Sequence, residues 1–363
     1  MKRREFLGVL AAQAALRPAE GKLGIPGPYP GRVAAVRHAA SFAADRYQGE
    51  PVRQMVERGM TMLTGAPSAV EAWRRFFQPG DVVGIKVNPV GRPHVISAPE
   101  ALHPILAGLE QAGIKPKDIV VYDRYREEFL QAGFDKWLPE GVRWMSASER
   151  YQNVQLDMDG YDRDVYMEMP LVHPAYAGQY SLSDRHVRRS YAARFLTREV
   201  NKLINLCVLK HHQAAGVTLA LKNLSHGLVN NVNRSHVSNT ANSTGTFIPA
   251  VVDLPVFREK VVLNILDGVK AAYHGGPGGK VGKYMWPHRT MYFATDPVAL
   301  DKTGWRVIDE KRVSLGLAPI ALLKPDVDST RLNCQVEHIE IAGNIGLGEF
   351  DDAKIRVERA EVS

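Results

Sequence analysis

Lysine, asparagine and histidine crowd into one stretch of this chain: from Asn205 to His236 the sequence reads NLCVLKHHQAAGVTLALKNLSHGLVNNVNRSH. An ammonium group neutralises a carboxylate or phosphate and a carboxamide orients it through a paired donor and acceptor. Imidazole moves protons near neutral pH or ligates a metal through a neutral nitrogen. The apolar run LINLCVL ends abruptly in Lys210, His211 and His212, which places three polar groups where a strand stops. If Gly216 to Leu224 is helical, Lys222 and His226 lie four residues apart and Asn223 and His226 three apart, so they share one edge, with Gly227 as the stop. Lys210, His211, Lys222 and His226 are therefore the candidate catalytic groups. His211 and His212 point opposite ways on an extended chain, so one of the two enters the site. His236, in an Asn-rich loop, reads as a surface residue. A divalent metal could be held by His211 or His212 with His226 and an aspartate, although the spacing matches no HExxH motif.

These groups need a scaffold, and the chain supplies near-continuous apolar runs at 82–87, 119–123, 203–209, 261–267 and 290–296, as expected of strands covered on both faces. Helical patterns lie between them. Ser97 and Glu100 form a capping box ahead of Leu102, Ile105, Leu106 and Leu109, and Asp296–Pro297 opens another helix with the stripe Leu300, Gly304, Val307 and Ile308. The fold class is α/β, a mostly parallel sheet with helices on both faces and an irregular insertion. Ligands in such sheets bind beyond the carboxyl ends of strands. That rule adds Lys86, Asn88, Asp123 and Asp267 as ligand-binding candidates and brings in Asp296, for which a helix cap is the plainer reading. The expected divisions are a signal and Gly/Pro linker over 1–31, a first α/β half over 32–145, an irregular insertion or cover over 146–190, and a second α/β half over 191–363 that carries the Lys/Asn/His cluster. The stretch 271–283, AAYHGGPGGKVGK, reads as a flexible loop able to bring His274 and Lys280 over a ligand.

Several functions are excluded by what is missing. Two cysteines, Cys207 and Cys334, cannot hold an iron–sulfur cluster. No nucleotide motif is present: a P-loop ending at Lys280 would need glycine where His274 stands, and neither GxGxxG nor GxSxG occurs. The net charge of +7 falls to about +5 once Lys2, Arg3, Arg4 and Glu5 are set aside, too dilute for a nucleic-acid surface. The opening KRREFLGVLAAQAAL resembles a twin-arginine export signal, with an apolar stretch of about nine residues against the roughly 20 of a membrane helix. The expected partners are the export machinery and a small-molecule ligand, with no stable membrane insertion.

GIKVN (84–88), LCVLKHHQAAGVTLALKNLSHG (206–227), LNILDG (263–268), ATDPVALD (294–301) and GLG (346–348) together resemble the domain-of-unknown-function family numbered 362. That resemblance implies no catalytic roles, and the iron–sulfur part some members carry has no cysteines here. The residues themselves lead to an exported enzyme of unassigned reaction acting on a small anionic or polyhydroxylated substrate. The alternative is a non-catalytic ligand-binding protein of the cell envelope using the same cleft.

Overall fold

A computed structural model of the chain describes residues 22–176, 178–181, 183–236, 242–322 and 334–363, side chains at 279–281 aside. The export-signal reading at the N-terminus and the side chain of Lys280 lie outside the described residues. The strands are β1 (Arg32–His38), β2 (Val83–Lys86), β3 (Ile119–Tyr122), β4 (Arg143–Met145), β5 (Tyr161–Glu168), β6 (Arg189–Ala193), β7 (Lys202–His212), β8 (Val261–Ala272), β9 (Met285–Ala294) and β10 (Arg356–Val362), and the five apolar runs form β2, β3, β7, β8 and β9. All but β5 and β6 join one sheet in the order β10-β1-β9-β8-β7-β2-β3-β4, with Gly216–Val217 folding back on the end of β7. Pairing is parallel except where β9 meets β1 and β8.

Alternation along the strands divides the core into two apolar layers, one on each face. Val120, Leu203, Cys207 and Leu209 belong to one; Val121, Ile204, Leu206 and Ile265 belong to the other. Helices α1 (Gly49–Thr64), α2 (Pro99–Gln111) and α3 (Arg126–Ala132) cover the second layer, where Met55, Leu102, Ile105 and Phe129 are buried. Helices α4 (Leu219–Leu228), α5 (Thr244–Val252), α6 (Pro297–Ser314) and α7 (His338–Asn344) cover the first through Leu221, Phe247, Leu300 and Ile339. Between 146 and 190 the chain leaves the sheet and runs into the β5–β6 hairpin, and Tyr151 from this stretch reaches the cleft described below.

Four local expectations are corrected. β9 runs antiparallel to β8, so its end at Asp296 lies at the opposite edge of the sheet from the ends of β2, β3 and β7. The plainer reading of Asp296 holds: it caps α6, accepting from Val298 and Ala299 N–H at 2.9 Å each. Ser97 is not a helix cap: its hydroxyl donates to Leu206 O and accepts from Asn88 N–H, both at 2.8 Å, and α2 begins after Ala98. Helix α4 starts at Leu219 rather than Gly216, since Gly216 and Val217 are paired to His212 and His211. Finally, the Gly/Pro stretch before Arg32 packs on the body where it is described: Ile25 is buried, and a Cβ at Gly24 would meet Arg258 O at 1.9 Å. Both cysteines are free thiols. Among the described residues no helix is long and apolar enough to cross a membrane.

Candidate functional site

At the carboxyl ends of β2, β3 and β7 the loops part over a cavity of about 180 Å³. Lys86, Asn88, Asp123, Lys210, His212, Lys222, Asn223 and His226 line it together with Arg124, Tyr125, Glu128, Thr218 and His236. Tyr151, from the cover, and Asn233 extend the lining toward a second hollow that shares His212, His236 and Pro277 and adds His173.

A row of polar side chains crosses the sheet beneath α4. Asn264 on β8 is in register with Asn205 on β7, which is in register with Lys86 on β2. Asn264 Nδ2 donates to Thr295 O at 3.1 Å, Asn205 Nδ2 to Asn264 Oδ1 at 2.9 Å, and Asn223 Nδ2 to Asn205 Oδ1 at 2.7 Å. Asn223 Oδ1 then accepts from Asn88 Nδ2 at 2.9 Å and from Lys86 Nζ at 3.2 Å. Each of these buried amides is satisfied, as burial in an apolar core requires.

The two strand-end lysines differ in their partners. Lys86 Nζ donates to Asp123 Oδ1 at 2.6 Å, forming a buried ion pair, and to Val87 O at 2.5 Å. Lys210 Nζ donates to Asn88 Oδ1 at 2.8 Å and closely to Val90 O, with Val95 O at 3.5 Å; no carboxylate pairs with it among the described residues. Burial, reinforced by the Lys86 charge, lowers the Lys210 pKa to about 7, while Glu128 and Asp123 pull the other way. Glu128 is shifted up by burial and by Asp123, against the opposing effect of Arg92. One of its oxygens lies 3.4 Å from Arg92 Nη1 and the other is buried with no hydrogen-bond partner.

Helix α4 presents Lys222, Asn223 and His226 to the cavity. Its first two N–H groups after Leu219, those of Ala220 and Leu221, are held by the carboxylate of Asp301 from α6 at 2.7 and 2.9 Å. Gly227 is not a stop, since the helix runs to Leu228. It makes room instead: a Cβ there would lie 2.1 Å from Lys86 Cε.

The imidazoles have fixed and unequal roles. His212 Nδ1 accepts from Ala214 and Ala215 N–H at 3.1 and 3.2 Å, which leaves the proton of the neutral ring on Nε2. His226 is bracketed by Ser225 Oγ on Nδ1 and Ser235 Oγ on Nε2. Since the Ser235 hydroxyl donates to Val232 O at 2.7 Å, His226 Nε2–H donates to it. Burial, and next the Lys222 charge, holds both rings well below the usual imidazole range, so both are neutral at pH 7.

Eight of the ten expected site residues line the cavity, and two do not. His211 points away from Lys210 and His212 and sits 5.1 Å from the ring of His274, outside the lining. His274 is thereby buried elsewhere and does not cover the cleft, its Nδ1 being 3.1 Å from Arg312 Nη1. Asp267 lies inside β8, not at its end. It accepts from Ala98 N–H at 3.2 Å and from the Tyr47 hydroxyl at 3.2 Å, tying α2 to the sheet outside the cleft. The expected metal set of His211, His212 and His226 is not assembled: His211 faces away and both nitrogens of His226 are taken by serines. Among the described residues no three His, Cys, Asp or Glu side chains form a metal-holding group. Conversely His236 is half-buried and lines the cavity, its ring lying 5.2 Å from that of His226 and 5.8 Å from that of His212.

Arg124, Tyr125, Glu128 and Asp301 were not anticipated. The first three follow β3 directly, where the strand-end rule could have extended past Asp123; Asp301 carries no local signal, because it acts on a helix distant in sequence. Residues 83–306 match the family described as Domain of unknown function (DUF362). No curated protein matches the chain.

Proposed function

The chain belongs to the DUF362 family, and for it we propose an enzyme acting on a small anionic, hydroxyl-bearing molecule held in the lysine-lined cleft. The observation that carries the reading is the charge balance of the cavity: among the described residues Lys86, Lys222 and Arg124 line it against Asp123, while burial shifts both Lys210 and Glu128 toward their neutral forms. Cations collected in a low-dielectric hollow favour a negatively charged occupant. Around the same hollow the Tyr125 hydroxyl, Thr218 Oγ1 and Glu128 Oε2 are buried without hydrogen-bond partners among the described residues. Hydroxyl groups on a ligand both donate and accept, and would satisfy all three. Capture without turnover is the second reading, favoured by His226, whose ring is committed to two serines and so is not free to take a proton.

A thermal-shift screen of sugar acids, hydroxy acids and phosphates, followed by product analysis of each hit, separates the two. Lys222→Ala should abolish stabilisation by the anions; if no anion stabilises the wild type, both readings fail. We further propose that the chain is exported, a reading that rests on Arg3, Arg4, Phe6 and Leu7. It predicts that replacing both arginines by lysine keeps the protein in the cytoplasmic fraction; unchanged fractionation rejects it.

A further inference from the structure

We infer that Lys210 is a nucleophilic amine that captures a ligand carbonyl as an imine, which makes small oxo acids the substrate class of the cleft. This rests on reading the cleft as an anion site and adds a reaction to it.

The geometry of the two strand-end lysines separates their tasks. Lys86 donates to three oxygens, one of them the Asp123 carboxylate, as an ammonium with three N–H bonds would. Lys210 is fully buried and donates to two near neutral oxygens, those of Asn88 and Val90, with the third, Val95 O, at the limit of a hydrogen bond. An uncharged amine has two N–H bonds to give and keeps a lone pair, and this set suits it. The loop is wrapped closely on the amine: a Cβ on Gly91, at φ +112°, would stand 3.3 Å from Nζ and 2.7 Å from Val95 O. Burial beside a second cation that has its own counter-ion is how proteins keep a lysine unprotonated and reactive. With a pKa of about 7, Lys210 is half free amine at pH 7, against one part in roughly 2,500 for an ordinary lysine.

The other lining groups complete the reaction. Lys222 and Arg124 supply charge for a carboxylate. The Lys210 lone pair forms the C–N bond while the carbonyl π pair moves to oxygen, which takes a proton from the Glu128 carboxyl as the nitrogen returns one to it. Glu128 then protonates the hydroxyl, the C–O bond breaks, water leaves, and the nitrogen pair closes the C=N bond. One amine, one carbonyl and one proton become an iminium and one water, with no oxidant or reductant. Glu128 is left as a carboxylate in the same cavity as the iminium, and its unpartnered buried oxygen is the acceptor available there.

The test is reductive trapping of the full chain. The protein is incubated with pyruvate or glyoxylate across pH 5 to 9, treated with sodium borohydride, and mapped by peptide mass spectrometry, with and without excess malonate, an anion lacking a ketone or aldehyde carbonyl. The expected result is an adduct concentrated on Lys210, rising with a midpoint near pH 7, suppressed by malonate and lost in Lys210→Arg. If that variant fails to fold, the wild-type map and the malonate competition decide alone. An adduct spread over exposed lysines, or none on Lys210 while pyruvate still raises the melting temperature, overturns imine formation and leaves the anion reading standing. Absence of both adduct and thermal shift with either oxo acid overturns the substrate class; a shift with other anions alone then shows that the broader reading survives it.

Discussion

Gly227→Ala is the most direct test of whether the lysine network is as rigid as its contacts imply. No positive φ explains this glycine; it is there because Lys86 passes over it. An alanine Cβ would stand 2.1 Å from Lys86 Cε and 2.7 Å from Nζ. Carbon atoms pack at about 3.5–4.0 Å, so the end of Lys86 must retreat by more than about 1 Å. An exposed lysine would do so at little cost. Lys86 is 2% exposed, and retreat pulls Nζ off Asp123, Val87 O and Asn223 together. Breaking a buried ion pair costs about 3–5 kcal/mol, while replacing glycine by alanine within a helix returns about 1 kcal/mol. The expected net loss is about 2–4 kcal/mol in urea denaturation, accompanied by weaker anion binding, because Asn223 loses the Lys86 ammonium that helps fix its Oδ1. A variant as stable as wild type, or about 1 kcal/mol more stable as helix propensity alone would make it, refutes the reasoning and shows that Lys86 can move aside freely.

Asp301→Ala removes the acceptor of two N–H groups at the start of α4 and should cost about 1–3 kcal/mol by denaturation, with a loss of anion affinity because that helix carries Lys222 and Asn223; unchanged affinity would place α4's anchoring elsewhere. His211→Leu should be neutral or stabilising by about 1 kcal/mol, since neither ring nitrogen has a hydrogen-bond partner, and should leave ligand binding intact; His212→Leu should weaken binding, and equal effects of the two on affinity would contradict their opposite orientations. Asp267 has its pKa raised by burial to about 6, despite hydrogen bonds from Ala98, Val269 and Tyr47. Its folded value exceeds the unfolded one, so its contribution is full below about pH 4 and falls by up to about 3 kcal/mol as pH rises to about 6. The stability difference between wild type and Asp267→Asn should shrink over that window, and a flat difference would mean that Asp267 ionises normally.

The strands were legible because burial on both faces writes an apolar run into the sequence. Direction was not: nothing in TMYFATD says that β9 comes back antiparallel, and with that turn Asp296 went to the far edge. Ser97 shows the limit of local capping rules, for the Leu206 carbonyl on β7 took its hydroxyl and the helix begins one residue later. Residues near the strand ends were well anticipated, since a polar group interrupting an apolar run needs a reason to be there. The same logic would have reached Asn264, a lone amide inside VVLNILD at the level of Asn205 in LINLCVL. His236 was misjudged because Asn-rich composition reads as solvated. Here the asparagines are buried and satisfied, Asn230 accepting from Tyr191 N–H and Asn231 from the Tyr176 hydroxyl.

The amide row has a direction, and that direction constrains the chemistry at its open end. Lys210 donates to Asn88, Asn88 to Asn223, Asn223 to Asn205, Asn205 to Asn264, and Asn264 to the Thr295 carbonyl. A main-chain oxygen can only accept, so the far terminus orients every carboxamide in turn, and none can rotate end for end unless all do. Successive dipoles aligned in one sense polarise each other. Thr295, four strands from β3 on the other side of β7, thus sets which atom of Asn88 meets the amine of Lys210.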